Sequence, residues 1–237
     1  PQRVNGDPNE AKGYLIQGAT RAAGGNMVVY TYSVQGSADP PGNTFQARVI
    51  GPTGLLGNWF TFYTGTDPNT DSQFGTPFTS ANGQTIAFPY SRPDGVGTIF
   101  YLATATASLN PAWSLEVVRT ETPTNFPFAN LTGTFLGSDP VIMWMRMQPV
   151  VGPGIRRWFY VRKRSGAWEV PVQIHQANNP PAEFANKGIY AYPIPGGIGA
   201  VFNFGNAPAF STEAPWYWEL RTAVSLNGLF GAMRSLR

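Results

Sequence analysis

The residues with the types and spacing for chemistry are few. Asp67-Pro68-Asn69-Thr70-Asp71 sets three oxygen-bearing side chains at alternate positions, the opening D-x-N-x-D of a calcium loop. Asp67, Asn69 and Asp71 are therefore the candidate ligands for Ca2+. The Gly expected next is Ser72, the closing Glu position holds Phe78, and an Asx turn explains the same triplet. His175 is the one histidine and there is no cysteine. His-rich and thiolate zinc sites thus lack their ligands, and nucleophilic triads lack their parts. Glu116, Glu169 and Glu219 stand three, one and one residues after Trp113, Trp168 and Trp218. A glycosidase needs two carboxylates roughly 5 to 9 Å apart across a cleft. The solvent-facing side of a strand accounts for these acids as well. The Gly-rich stretch 195–199 lies between two strand patterns rather than between strand and helix, so it does not read as a phosphate cradle. The expectation is a protein that is not an enzyme and needs no cofactor, calcium apart.

A denser constellation lies in the stretch 141–174. Trp144 and Arg146 fall on one alternate set of their strand pattern, and Trp158, Tyr160, Arg162 and Arg164 on one alternate set of the next. If the two strands pair with these sets together, the six residues form one surface. Aromatics with arginine suit sugar stacking, cation–π contact or a protein interface. The same pattern also describes a buried sheet face with arginine stems at its rim.

The elements that position these residues read as short strands. Val141–Gln148, Arg157–Arg164 and Trp168–Ile174 alternate with period two and are separated by a Pro/Gly loop and by Ser165-Gly166, an antiparallel meander. The pattern recurs at 27–34, 45–50, 59–64, 85–90, 98–107, 113–118, 189–194, 200–204 and 216–224. Residues 65–84 and 119–139 read as loops, the second anchored by Phe126, Phe128 and Phe135. Spacing of Leu226, Leu229, Phe230 and Met233 suggests a short closing helix over 226–236. Residues 1–26 read as a partly ordered arm leading into one strand, and 27–237 as a single antiparallel β domain. The fold class is all-β: an antiparallel sandwich or jelly-roll-like domain with long loops. The alternative is a small four- or five-bladed β-propeller, because Trp59, Trp113, Trp168 and Trp216 recur at intervals of 54, 55 and 48 residues.

Composition agrees. Gly 27 and Pro 22 make a fifth of the 237 residues, which leaves little room for long helices. Charged residues are 12%, about half the usual share. The net charge of +3 is small and not concentrated in a dense arm, so nucleic acid is not an expected partner of this domain. No run of about 18 apolar residues occurs, so no transmembrane helix is expected.

The stretches 187–195, KGIYAYPIP, and 215–231, PWYWELRTAVSLNGLFG, resemble the closing strands of small RNA-virus capsid proteins. Few Lys, many Pro, Gly and Asn, and aromatic strands between polar loops match the same texture. The resemblance implies a capsid or protruding spike domain that self-assembles into an oligomer or shell in the virion and contacts a glycan or protein receptor. Its departure is the missing basic arm. The Trp spacing resembles instead that of propeller lectins, which would make the chain an extracellular glycan-binding module. A carbohydrate-active enzyme using the glutamates is the third reading.

Overall fold

A computed structural model describes residues 14–33, 44–64, 73–93, 97–121, 128–147, 155–178, 189–202, 216–221 and 234–235. Among them there is no α-helix; a single 3-10 turn spans Ala23–Gly25. The fold is antiparallel β throughout, and its sheets do not close into a barrel. Four sheets follow one another along the chain. The first runs β1 (Tyr14–Arg21), β2 (Met27–Ser33), β3 (Thr44–Ile50), β4 (Phe60–Thr64) in that order. In the second, β5 (Gln73–Phe74) and β6 (Phe78–Thr79) both pair with β7 (Thr85–Pro93), followed by β8 (Thr98–Thr106) and β9 (Ser114–Glu121). The third runs β10 (Phe128–Leu136), β11 (Asp139–Met147), β12 (Ile155–Arg164), β13 (Ala167–Trp168), with β14 (Val172–Asn178) also on β12. The fourth runs β15 (Ile189–Ile194), β16 (Gly197–Phe202), β17 (Trp216–Arg221), β18 (Arg234–Ser235). Neighbouring strands are near neighbours in sequence, the order of meanders rather than the Greek-key crossings of a jelly roll.

The chain forms two compact units, residues 1–93 with 99–117 and residues 94–98 with 118–237. In the first unit, Val28, Phe45, Ala47, Val49 and Phe62 from the first sheet share one core with Ile86, Phe88, Tyr90 and Ala103 from the second. Phe62 stacks on Phe88 at 4.8 Å and meets Trp113 edge-on at 5.0 Å, so aromatic rings fill the space between the sheets. In the second unit, residues 131–136 of β10 are all buried, as are Val141 to Met145 of β11. A strand buried on both faces shows no alternation, which is why Phe128–Leu136 does not stand out as a strand and 119–139 read as a loop. The stretch 65–84, expected to be a loop, holds the short strands β5 and β6, and within 1–26 the described strand is Tyr14–Arg21, at the edge of its sheet. Of the helix expected over 226–236, only Arg234–Ser235 is described, and these residues are β18, paired with Trp216 and Tyr217.

The sheets repeat one another. Val28, Ile86, Ile142 and Ile198 occupy the second position of β2, β7 and β16 and the fourth of β11, with exposures of 0%, 0%, 1% and 0%. They lie 58, 56 and 56 residues apart. Each is preceded by a hairpin turn with a glycine at positive φ: Gly25, Gly83, Gly137 and Gly196. The tryptophans keep step less well. Trp59 and Trp113 stand just before the last strands of their sheets, Trp168 lies in β13, and Trp216 opens the third strand of the fourth sheet.

Candidate functional site

The third sheet carries the aromatic and arginine residues singled out above, and its register divides them. β11 and β12 pair antiparallel with Val141 opposite Arg162, Met143 opposite Tyr160, Trp144 opposite Phe159, Met145 opposite Trp158 and Arg146 opposite Arg157. Residues directly opposite share a face. Trp144 and Arg146 therefore lie with Phe159 and Arg157. Trp158, Tyr160 and Arg162 lie on the other face with Met145, Met143 and Val141. The strands pair as the pattern requires, but a one-residue offset separates the six residues into two sets. Trp144 and Trp158 are also 1% and 3% exposed, so these two rings are core rather than open platforms.

The Trp144 face is built as follows. Trp144 stacks on Phe159 at 5.7 Å. The Arg119 guanidinium, from the end of β9, sits 5.9 Å from the Trp144 ring centre. Arg119 Nε is 2.7 Å from Glu121 Oε1, and Arg146 Nη1 is 3.7 Å from Glu121 Oε2. Glu121 is buried, 9% exposed, between two half-buried arginines. Burying a carboxylate without charge compensation costs several kcal/mol, so the arginines are what permit Glu121 at this depth. Next to them Arg157 donates its Nε–H to Gln176 Oε1 at 2.8 Å.

The opposite face ends in a different pair. Arg162 donates both Nε–H and Nη2–H to Asp139 Oδ2, at 3.0 and 2.5 Å. Tyr160 is half-buried beside it, and its phenol is pushed above its ordinary pKa by burial and then by Glu169, with Arg162 opposing. Arg164 is exposed at the β12–β13 turn, where Arg164 pairs with Ala167 across Ser165-Gly166.

Sequence reasoning passed over a second cluster in the first unit. Tyr90 and Tyr101 stack nearly parallel at 5.0 Å. Arg92 donates from Nε and Nη2 to the Tyr101 hydroxyl at 3.1 and 2.7 Å while lying 4.8 Å from its ring centre. Tyr90 is 2% exposed, and burial pushes its pKa up to about 12. Tyr90 and Arg92, two residues apart on one side of β7, are the signal that could have found it. Arg48 likewise covers Trp59 at 4.4 Å, and Lys163 covers Trp168 at 6.0 Å. These ring faces are occupied by the chain's own cations.

Asp67, Asn69 and Asp71 lie outside the described residues. Among the described residues no group of three or more His, Cys, Asp or Glu side chains could hold a metal ion. Glu116 is half-buried on β9, Glu169 is exposed after β13, and Glu219 pairs with Gly199 in the fourth sheet. Among the described residues no helix is long and apolar enough to cross a membrane. The chain matches no protein-family model, and no curated protein matches it.

Proposed function

We propose that this chain is a non-enzymatic structural and binding domain, of the capsid or capsid-spike kind that its closing strands resemble, which associates with copies of itself and contacts a receptor. The observation that carries the reading is on β9. This strand ends its sheet, and Leu115 and Val117, on one side of it, are 46% and 52% exposed. An exposed apolar pair on a terminal strand is a template for contact with another chain, which the charges of Glu116, Arg119 and Glu121 on the same strand blunt only in part. The occupant that fits is a second copy, whose identical strand carries the same pair and can meet it about a two-fold axis. A chain with 12% charged residues has little to oppose such contacts.

Light scattering after size exclusion, followed by electron microscopy, tests this. Wild-type protein assembles, and the Leu115→Arg, Val117→Arg double variant, altered only at exposed positions, stays monomeric with an unchanged melting temperature. A wild-type chain that remains monomeric at high concentration overturns the reading.

The recurrence of four similar sheets favours one second reading, a glycan-binding module with a site repeated from sheet to sheet. It predicts hits on a glycan array, and an array without hits removes it.

A further inference from the structure

At one end of the first unit four connections meet: 22–26 between β1 and β2, 51–59 between β3 and β4, 80–84 between β6 and β7, and 107–113 between β8 and β9. Hydrogen bonds join one to the next. Ala23 N donates to Gly83 O at 2.8 Å, Ala107 N to Gln84 O at 2.7 Å, and Asn58 N to Asn110 Oδ1 at 2.7 Å. A methyl group added at Gly25 would lie 3.1 Å from Pro52 Cβ, and one at Gly51 would lie 3.6 Å from Leu109 Cδ1. Each turn also closes on itself: Gly51 N donates to Leu55 O, Gly54 N to Gly51 O, Gly57 N to Val49 O and Gly83 N to Ser80 O. These backbone groups are satisfied without water. The composition of this end is one-sided. The stretches 22–27, 50–59, 80–85 and 107–113 hold no charged residue. Leu55 is 61% exposed and Met27 38%, and Pro52 is exposed with them. The flanking charges of the first sheet are both cations. Arg21 is exposed and directly opposite Met27 across β1 and β2, so the two share a face. Arg48 donates to the Gly57 carbonyl at 3.0 Å and lies 4.4 Å from the Trp59 ring centre. Past the other connections the first acid of β9 is Glu116, half-buried.

We propose that this end of the first unit docks on an anionic lipid surface, with Leu55 and Met27 entering the headgroup region and Arg21 meeting the lipid charges behind them. A bilayer interface accepts apolar side chains and backbone whose hydrogen bonds are already made, and it penalises carboxylates. Cations set just behind apolar side chains meet the negative headgroups, and tryptophan favours the same level, where Trp59 and Arg48 stand. A second copy fits this end less well. Meeting its own kind about a two-fold axis would bring Arg21 towards its image, with no acid in the four connections to offset the repulsion. Leu115 and Val117 are not part of this surface, so it is separate from the contact between copies proposed above.

The test is flotation of the full chain with vesicles of phosphatidylcholine alone and of phosphatidylcholine mixed with phosphatidylserine. Two apolar side chains and one cation bind less tightly than a single acyl chain, on the order of 10³ M⁻¹, so lipid is carried to several millimolar. The chain is expected to float with the serine-containing vesicles and not with phosphatidylcholine alone. Binding falls about fivefold in Arg21→Gln and about tenfold or more in Leu55→Asp, and it weakens at high salt. Val170→Asp, at a residue 84% exposed in the second unit, leaves it unchanged. All three variants alter exposed side chains and keep the wild-type melting temperature. No flotation with either vesicle, equal flotation with both, or binding that survives Leu55→Asp overturns the proposal. Light scattering without lipid separates the alternatives. An oligomer that Leu55→Asp dissolves makes this end a contact between copies and also overturns it, whereas assembly without lipid binding refutes this surface and leaves the structural role standing.

Discussion

Gly57 gives the most direct test of the packing described for the first unit. A methyl group added at Gly57 would lie 1.9 Å from the Leu109 carbonyl oxygen, 3.0 Å from its carbon and 3.1 Å from the Val49 oxygen. All three are backbone atoms, so no side chain can swing aside. Relief needs a movement of about 1 Å or more of one backbone against the other, because ordinary carbon–oxygen contact begins near 3.3 Å. Three hydrogen bonds depend on the present spacing. Gly57 N donates to Val49 O at 2.8 Å, Arg48 Nε donates to Gly57 O at 3.0 Å, and Asn58 N donates to Asn110 Oδ1 at 2.7 Å. Overpacking costs typically about 1 to 3 kcal/mol, and each hydrogen bond lost about 1 kcal/mol. Gly57→Ala is therefore expected to destabilise by about 3 to 5 kcal/mol. At about 2 to 4 °C per kcal/mol for a chain of this size, its melting temperature falls by roughly 6 to 20 °C, measured by calorimetry or circular dichroism. A change of less than about 2 °C would mean that Gly57 and Leu109 do not approach in this way, and the entry into β4 would have to be redrawn.

Two other predictions are simpler. Ser165 is the one non-glycine residue at positive φ among the described residues, at 51°, followed by Gly166 at 85°, the dihedral pattern of a two-residue I′ hairpin turn. Ser165→Asn keeps the turn with a residue that tolerates this region better, and a gain of about 0.5 kcal/mol in chemical denaturation is expected; a loss would refute the turn assignment. Tyr90 carries a folded-state pKa raised to about 12 against an ordinary 10. The unfolded chain releases this proton first, so the contribution of Tyr90 is intact below pH 10 and is lost as pH rises from 10 towards 12. Tyr90→Phe should flatten that alkaline fall in stability, and an unchanged profile would show that Tyr90 is not buried as described.

The sequence was most legible where strands have one buried and one solvent-facing side. β8 alternates, with Phe100 and Leu102 buried and Ile99 and Tyr101 half-buried, and period two finds such strands. β10 is buried on both faces, with Thr132, Gly133 and Thr134 interrupting its apolar residues, so nothing in its pattern separates it from a loop. The site was half legible. The types of Trp144, Arg146, Trp158 and Arg162 are informative, and so is their strand spacing. Which face of β11 meets which face of β12 is set by the register, and the intervening loop hides it: a shift of one residue would have joined the six side chains instead of dividing them. Glu121 and Arg119 could not be linked to Trp144 from sequence at all, because the contact spans separate strands. The fourfold recurrence was visible only through tryptophan, which is large and rare, whereas the positions that repeat most faithfully hold Val or Ile, too common to stand out.

The order of the strands has a kinetic consequence. Most pairings join strands that are close along the chain, so they can zip from a short connection without first closing a long loop. Proteins dominated by such local pairing reach their folded form faster than β proteins of comparable size whose partners come from distant segments. A chain made this way can finish one ribbon before the next leaves the ribosome, and the edges of its incomplete sheets spend less time exposed to other chains.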